Sequence, residues 1–142
     1  MKRRNPSFRI FFLSLCLFYF LVPLSAEALT RVVVTPLRGS VGLPMERHLQ
    51  EVMEEVASSK EPSLLVLELD TPGGLVSSMR SITKSILGAS FPVVVWVSPQ
   101  GAQAASAGAF ILQSAAVAAM APGTNAGAAH PVTAGGKDVP SE

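Results

Sequence analysis

The chain has 142 residues, of which 49% are hydrophobic, with 11 basic and 10 acidic side chains. This length supports at most one globular domain, and the apolar fraction excludes disordered and collagen-like structure. Residues 29–142 carry 7 basic and 9 acidic side chains, a formal charge of −2, so they lack the electrostatic footprint of a nucleic-acid-binding protein. We therefore predict no DNA or RNA partner.

The N-terminus has the order of a secretory signal peptide. Four basic residues precede an apolar run over residues 10–24, and the small residues Ala26 and Ala28 then form a cleavage pattern. The run, which a serine and a proline interrupt, is shorter than the about 20 residues that cross a bilayer as a helix. We predict a signal peptide over residues 1–28 and export across the cytoplasmic membrane, with an uncleaved membrane anchor as the alternative.

The residue types in 29–142 limit the chemical reactions that this part of the chain can carry out. Cys16 is the only cysteine and lies in the predicted signal peptide, which excludes a disulfide, a thiolate metal site and a cysteine nucleophile from residues 29–142. His48 and His130 are the only histidines, and neither an H-E-x-x-H motif nor a P-loop is present. We expect no metal and no cofactor, and we expect His48 to be exposed on a polar helix.

Four short apolar runs, two of them rich in valine, predict β-strands. They cover residues 32–34, 64–69, 93–97 and 117–120. Nearly continuous apolar runs are typical of strands that are buried on both faces of a parallel sheet.

Helices are predicted between these strands. Apolar residues recur at helical spacing over residues 49–56 and 75–86, and Gly88 follows the second pattern as a C-terminal stop. Residues 106–115 are apolar nearly all round, which favours a helix enclosed by protein, and we expect Trp96 and Phe110 in the core. Because strands and helices alternate, the Pro- and Gly-rich loops that follow the strands should meet at one rim of a parallel sheet.

Ser106 is the candidate nucleophile at this rim. It follows a predicted loop, and its immediate neighbours are small, so a substrate carbonyl can approach it. Free N–H groups and the positive dipole end at a helix N-terminus favour a developing oxyanion. The alternative is a serine that only caps a tightly packed helix.

The turn Pro72-Gly73-Gly74 follows the second predicted strand. Two glycines can adopt backbone angles that direct N–H groups into a cleft, whereas the alternative is an ordinary tight turn with Asp70 as a local cap. With Ser106, the turn would place an oxyanion donor and a nucleophile on a shared rim, as acyl transfer requires.

Three ordered motifs resemble the NfeD family of membrane-bound, ClpP-class serine proteases. They are D-T-P-G-G at 70–74, G-A-Q-A-A-S-A-G-A-F-I at 101–111 and M-A-P-G-T-N-A-G-A-A-H-P at 120–131. The resemblance implies a ClpP/crotonase-like α/β fold of repeated β-α units with a mainly parallel sheet. Residues 29–142 would be the N-terminal part of the protease domain, incomplete at its C-terminus.

The same resemblance implies roles for individual residues. Ser106 would be the nucleophile, and the N–H groups of Gly74 and Ala107 would form the oxyanion hole. Gly73 and Leu75 would border a groove that holds the substrate as an added strand.

The sequence does not decide which residue serves as the general base. The resemblance implies a Ser-Lys dyad whose lysine, in the archaeal type, lies farther from the serine than Glu142 does. Lys137 lies in a solvated-looking Gly-Gly loop, whereas a lysine base needs burial to lower its pKa. His130 follows Ser106 by 24 residues, close to the place of the triad histidine in ClpP peptidases, and its alternative role is a structural histidine beside the groove.

Four functions follow from these observations. The first is an exported or membrane-associated serine endopeptidase for extended hydrophobic polypeptide, with a stomatin-like membrane protein as the implied substrate and a homo-oligomer as the expected assembly. The second is an inactive binding or assembly module, because the family lysine, its membrane spans and its C-terminal β-barrel domain are not in this sequence. An α/β-hydrolase would need Asp138 before His130, the reverse of their order. A crotonase-type acyl-CoA enzyme shares the fold but is usually cytosolic, which the signal peptide disfavours.

Overall fold

The computed structural model describes residues 31–129, which form a mixed α/β domain. Its elements, in chain order, are β1 (Arg31–Arg38), α1 (Leu43–Ser58), β2 (Ser63–Asp70), α2 (Val76–Leu87), β3 (Val93–Val97), β4 (Gln103–Ala105), α3 (Ala107–Gln113), β5 (Val117–Met120) and β6 (Asn125–Gly127). The order β1-β2-β3-β5 forms one parallel sheet, and β4 and β6 pair in parallel in a second. The predicted strands, helices and parallel sheet are confirmed, whereas β4 and β6 were not predicted.

The two faces of the main sheet differ in burial. Leu65, Leu67 and Leu69 of β2 are fully buried, and the residues between them are only partly buried. Because right-handed crossovers between successive neighbouring strands put their helices on one side, this buried face is the one that carries α1 and α2. On the other face Val34 and Val117, at the two edges, are 55% and 56% exposed. The prediction that the strands are buried on both faces is therefore wrong.

Two aromatic residues also lie outside the core that we predicted for them. Trp96 is 38% exposed on the open face of β3, and Phe110 is 42% exposed on α3. An apolar composition predicts burial on average, but which side of an element meets solvent depends on its neighbours. The enclosure of α3 is otherwise confirmed, since Ala107, Ile111 and Leu112 are buried.

Polar contacts set the ends of α2. Near its start, the hydroxyls of Ser81 and Ser78 hydrogen-bond to the carboxylate of Glu46 in α1 and hold the pKa of that carboxyl below its ordinary value. At its end the N–H of Gly88 donates to the carbonyl of Lys84 at 3.0 Å, as the predicted stop requires. The first turn of α2 is thus tied to α1.

The unpredicted strand β4 continues the sheet pairing beyond the end of β2. Thr71 donates its N–H to the Gln103 carbonyl at 2.7 Å and accepts from the Ala105 N–H at 3.0 Å. The carboxylate of Asp70 accepts the Gln103 N–H at 3.0 Å, so it bridges to β4 rather than capping its own turn. Ser106, which follows β4 directly, is therefore held at a fixed place relative to the turn after β2.

Helix α3 approaches Thr71 closely because Gly108 has no side chain. A Cβ at position 108 would lie 2.5 Å from Thr71 Cγ2. Thr71 is fully buried, and its Oγ1 accepts the Gly73 N–H at 3.0 Å, so rotation away from the added atom would break that bond. The contact requires glycine at this position.

We expect Gly108→Ala to lower the free energy of unfolding by roughly 1 kcal/mol, since overpacking costs about 1–3 kcal/mol and alanine recovers up to about 1 kcal/mol over glycine in a helix. Urea unfolding of the two proteins measures the difference. Gly42→Ser is the matched control, because its added Cβ would have Pro44 Cδ as nearest atom at 3.8 Å. Equal unfolding midpoints for the two variants would contradict the packing argument.

Candidate active site

Ser106 has a backbone conformation that is rare for a residue with a side chain. Its φ is 51° and its ψ is −113°. Its N–H donates to the Gly127 carbonyl in β6 at 2.7 Å, and its carbonyl accepts the Ala109 N–H in α3 at 3.0 Å. The surrounding strand and helix thus hold a strained strand-to-helix turn, the kind of turn that presents the nucleophilic serine of α/β-hydrolases.

The Ser106 hydroxyl makes no hydrogen bond within the described part of the chain. The residue is half-buried, and its side chain makes no capping hydrogen bond to α3. No residue between 31 and 129 hydrogen-bonds to its Oγ. The capping role that the sequence left open is not taken up in this structure.

Gly73 packs directly against Ser106. A Cβ at position 73 would lie 2.8 Å from Ser106 Cβ and 3.3 Å from Ser106 Oγ. The φ of Gly73 is +108°, a conformation that favours glycine. The turn after β2 and the candidate nucleophile, which are more than thirty residues apart in sequence, are therefore in contact.

The orientation of the Gly74 amide follows from a short bridge to Val41. The Val41 N–H donates to the Gly73 carbonyl at 2.8 Å, and the Leu75 N–H donates to the Val41 carbonyl at 2.8 Å. Since successive N–H groups of an extended chain point to opposite sides, the Gly74 N–H faces away from Val41. Gly74 and Ser106 line the same cavity, so this amide lies at the cavity that holds the hydroxyl.

Ala107 is the residue from which the second amide of an oxyanion hole is expected. It is the first residue of α3, it is buried, and it lines the same cavity. The first N–H groups of a helix have no intrahelical acceptor. Among residues 31–129, neither Ala107 nor Gly74 donates its N–H to a backbone acceptor.

The backbone groups of Gly73 and Leu75 are already paired within the chain. Leu75 donates its N–H to Val41, and its carbonyl accepts the Met79 N–H at 3.0 Å, while its side chain is 60% exposed. Gly73 donates to Thr71 and accepts from Val41. Of the three residues in this segment, Gly74 alone has both an N–H and a carbonyl that pair with no other backbone group of the described residues, so pairing with an added strand would fall to it.

The cavity at Ser106 has a volume of about 330 Å³. Most of its lining is apolar or small, and one lining residue carries a charge. The lining residues are Gly74, Val76, Met79, Arg80, Ser106, Ala107, Phe110 and Ala129. The arrangement suits an extended apolar chain whose carbonyl is presented to the hydroxyl.

Of the two histidines and the candidate lysine, the structure describes only His48. His130 and Lys137 lie outside the described residues. His48 is exposed on α1, as predicted, with its Nε2 2.7 Å from Thr35 Oγ1. Between residues 31 and 129 no three His, Cys, Asp or Glu side chains converge as metal ligands, and no helix there has the length and apolarity to traverse a bilayer.

Three contributors to the site were not found from the sequence. Val41 orients the diglycine turn through its backbone alone, and Gly127 holds the Ser106 N–H through its carbonyl. Backbone partners of this kind leave no side-chain pattern to detect. Arg80 could have been found, because it falls one turn after the start of the second predicted helix, close to the turn at 72–74.

The mixed α/β architecture with a mainly parallel sheet is that of the ClpP class of folds. A solved asparagine-to-aspartate mutant of ClpP1 from Listeria monocytogenes is similar in fold, with 21% identity, a TM-score of 0.57, and coverage of 67% of this chain and 53% of that one. Residues 31–141 match the family described as NfeD1b, N-terminal domain. The chain belongs to this family.

Proteases of Pyrococcus horikoshii are among its relatives. The membrane-bound protease PH1510 is 42% identical over 77 residues, which are 54% of this chain and 18% of that protein. A lysine-to-alanine mutant of 1510-N, a membrane-bound stomatin-specific protease, was solved with a substrate peptide; it is 30% identical, with a TM-score of 0.69 over 81% of this chain and 53% of that chain. The 1510-N protease specific for a stomatin homolog from Pyrococcus horikoshii is 34% identical, with a TM-score of 0.65 over 71% of this chain and 50% of that one. This chain therefore spans about half of the solved relatives and less of the curated one.

We expect Gly74→Ala to lower the free energy of unfolding by about 2–4 kcal/mol, because its Cβ would overlap the carbonyl oxygen of Val41 and its φ is +155°. Urea unfolding measures the loss. Gly39→Ala shares a positive φ, +90°, but nothing lies within 4 Å of its Cβ, so only the backbone cost of about 1–2 kcal/mol applies. The role of the Val41 bridge is refuted if the two variants lose the same stability.

Proposed function

We propose that this chain carries the nucleophile and oxyanion hole of a serine endopeptidase domain that cleaves extended hydrophobic polypeptide. The observation that carries the proposal is the Ser106 hydroxyl, which is unpaired among the described residues, held in a strained turn, and in contact with the turn that directs the Gly74 amide. Membership in a family whose solved relatives are proteases supports it.

The proposed reaction is acyl transfer through Ser106. Its Oγ attacks the peptide carbonyl carbon as its proton passes to a general base, and the N–H groups of Gly74 and Ala107 donate to the carbonyl oxygen as it becomes negative. The C–N bond then breaks, and the base returns the proton to the leaving amine. Water hydrolyses the resulting ester by the same steps and frees the serine.

The turn at 73–75 supports an extended substrate. Gly74 offers an N–H and a carbonyl on the side away from Val41, so a peptide can pair there as an added strand, with Gly73 and Leu75 bordering the groove. A side chain at position 73 would occupy the space next to Ser106 Oγ. Glycine at 73 thus keeps the approach to the hydroxyl open.

The base is proposed to be a lysine, with His130 as the second candidate. Solved mutants of the 1510-N relative replace a lysine and a serine by alanine, which supports a Ser-Lys dyad there. Among the described residues that line the cavity, none is a histidine, lysine, aspartate or glutamate. That observation is also what favours a catalytically inactive binding module as the alternative function.

Substrate, location and assembly are proposed from the relatives. The 1510-N protease is described as specific for a stomatin homolog, so we propose a stomatin-like membrane protein as substrate. The predicted signal peptide and the membrane-bound relative support a site outside the cytoplasm or at the membrane. We also propose that the protein assembles as a homo-oligomer.

A fluorophosphonate probe tests the nucleophile. We expect the folded protein to be labelled at Ser106, and Ser106→Ala to lose the label completely, because the probe reacts with serines whose hydroxyl is activated beside an oxyanion hole. Ser77→Ala is the matched control, since Ser77 is exposed on α2 and lines no part of this cavity. Mass spectrometry of the labelled peptide gives the site. A folded wild-type protein that takes up no label would favour the binding module.

The pH dependence of the labelling rate identifies the base. Because only the unprotonated base accepts a proton, the rate rises with pH through the pKa of that group. With His130 as base, the midpoint should lie near the ordinary histidine value of about 6.5, and His130→Gln should remove the rise. With a lysine as base, the midpoint should lie higher and His130→Gln should leave it unchanged. His48→Gln controls for the loss of a histidine outside the cleft.

A further inference from the structure

The cavity beside Ser106 is lined by one exposed arginine. Among the described residues that line it, Arg80 is the only charged one, and the others include the apolar Val76, Met79 and Phe110. Within the described part of the chain, the ion pairs join Arg31 to Glu55 and Arg38 to Glu68. Since neither involves Arg80, its guanidinium meets no carboxylate between residues 31 and 129.

The cavity continues along α2 as an apolar depression. Met79 and Phe110 also line a second hollow of about 260 Å³, together with Thr83, Leu87, Gln113 and Ser114. Residues 76, 79, 80, 83 and 87 are spaced at helical intervals, so they share one face of α2. From Val76 to Leu87 this face is about 16 Å long, which matches about five residues of an extended peptide.

Arg80 lies in the first part of this groove, at the end that contains Ser106. None of the described residues that line the two hollows is acidic. A guanidinium at the edge of an apolar groove attracts a carboxylate, to which it can donate two parallel hydrogen bonds, and it repels lysine and arginine side chains. The groove therefore has both an apolar surface for chain contact and a charge that distinguishes among apolar segments.

We infer that Arg80 makes the cleft select apolar segments that carry a carboxylate near the bond presented to Ser106. The carboxylate is an acidic side chain or the C-terminal carboxylate of the substrate. The inference rests on the proposed function, because selection by Arg80 determines which segments are cleaved only if Ser106 cleaves the segments that bind. Arg80 acts here as a specificity-determining residue and takes no part in proton transfer.

Peptide binding to the Ser106→Ala protein tests the inference without requiring catalysis. The probes are fluorescein-labelled ten-residue peptides of alanine, leucine and serine in which one position, moved along the chain, is Glu, Gln or Lys. Each is made as the free acid and as the C-terminal amide, and Kd is measured by fluorescence anisotropy at low and high salt. If an acidic side chain is recognised, we expect the Glu peptide to bind up to about fivefold more tightly than the Gln peptide in at least one position. If the C-terminal carboxylate is recognised, we expect the free acid to bind more tightly than the amide by a similar factor.

Variants of Arg80 test whether this residue causes the preference for peptides that carry a carboxylate. Arg80→Gln should abolish it, and Arg80→Glu should reverse it in favour of Lys, with both effects weakened by salt. Lys84→Gln is the matched control, since it removes the same charge from the same helix but lines neither hollow. A preference confined to acidic side chains, or to the free acid, supports the inference and names the source of the carboxylate. An unchanged preference in Arg80→Gln, or no preference at any position, overturns it.

This test and the test of the proposed function fail independently. If the fluorophosphonate probe labels Ser106 but the peptides show no dependence on Arg80, the protease proposal stands and the inference is wrong. If the peptides show the Arg80-dependent preference while Ser106 is never labelled, the inference stands as a property of a binding module. In that case the proposed function fails.

Discussion

The candidate site depends on one short parallel bridge, in which Val41 exchanges two backbone hydrogen bonds with the segment from Gly73 to Leu75. Because Val41 takes up the groups on one side of that segment, the Gly74 amide is turned to the other side, where the cavity and Ser106 lie. The bridge is a tertiary contact between the loop before α1 and the loop after β2. The orientation of the proposed oxyanion donor is therefore a product of sheet pairing that extends beyond the regular strands.

Backbone contacts also hold the candidate nucleophile in place. Ser106 is held by Gly127 of β6 on one side and by Ala109 of α3 on the other, and the close packing of Gly108 on Thr71 keeps α3 against the turn after β2. A strained backbone persists only where its surroundings over-determine it. Here the second, two-stranded sheet and the first turn of α3 supply that restraint, which links the stability of the domain to the geometry of the site.

Much of the fold follows from local patterns. The short apolar runs predicted β3 and β5 with their observed limits, and apolar spacing with Gly88 predicted α2. Patterns failed where a long-range partner decides the outcome: β4 and β6 are three residues each and exist because they pair with each other, and the exposure of Trp96 and Phe110 depends on what lies against them. Short strands and the choice of the solvent face carry little signal in the residues themselves.

The sequence by itself determined the class of fold, the serine and the diglycine turn, because each is recorded in residue type and spacing that local stereochemistry makes meaningful. Only the tertiary structure decided that Gly73 touches Ser106, that the Gly74 amide faces the cavity, and that Arg80 enters it. These are relations between segments far apart in the chain. They are fixed by backbone hydrogen bonds, which almost any residue type can make, and by close packing at glycines whose partners lie in other segments. Local sequence patterns therefore do not reveal them.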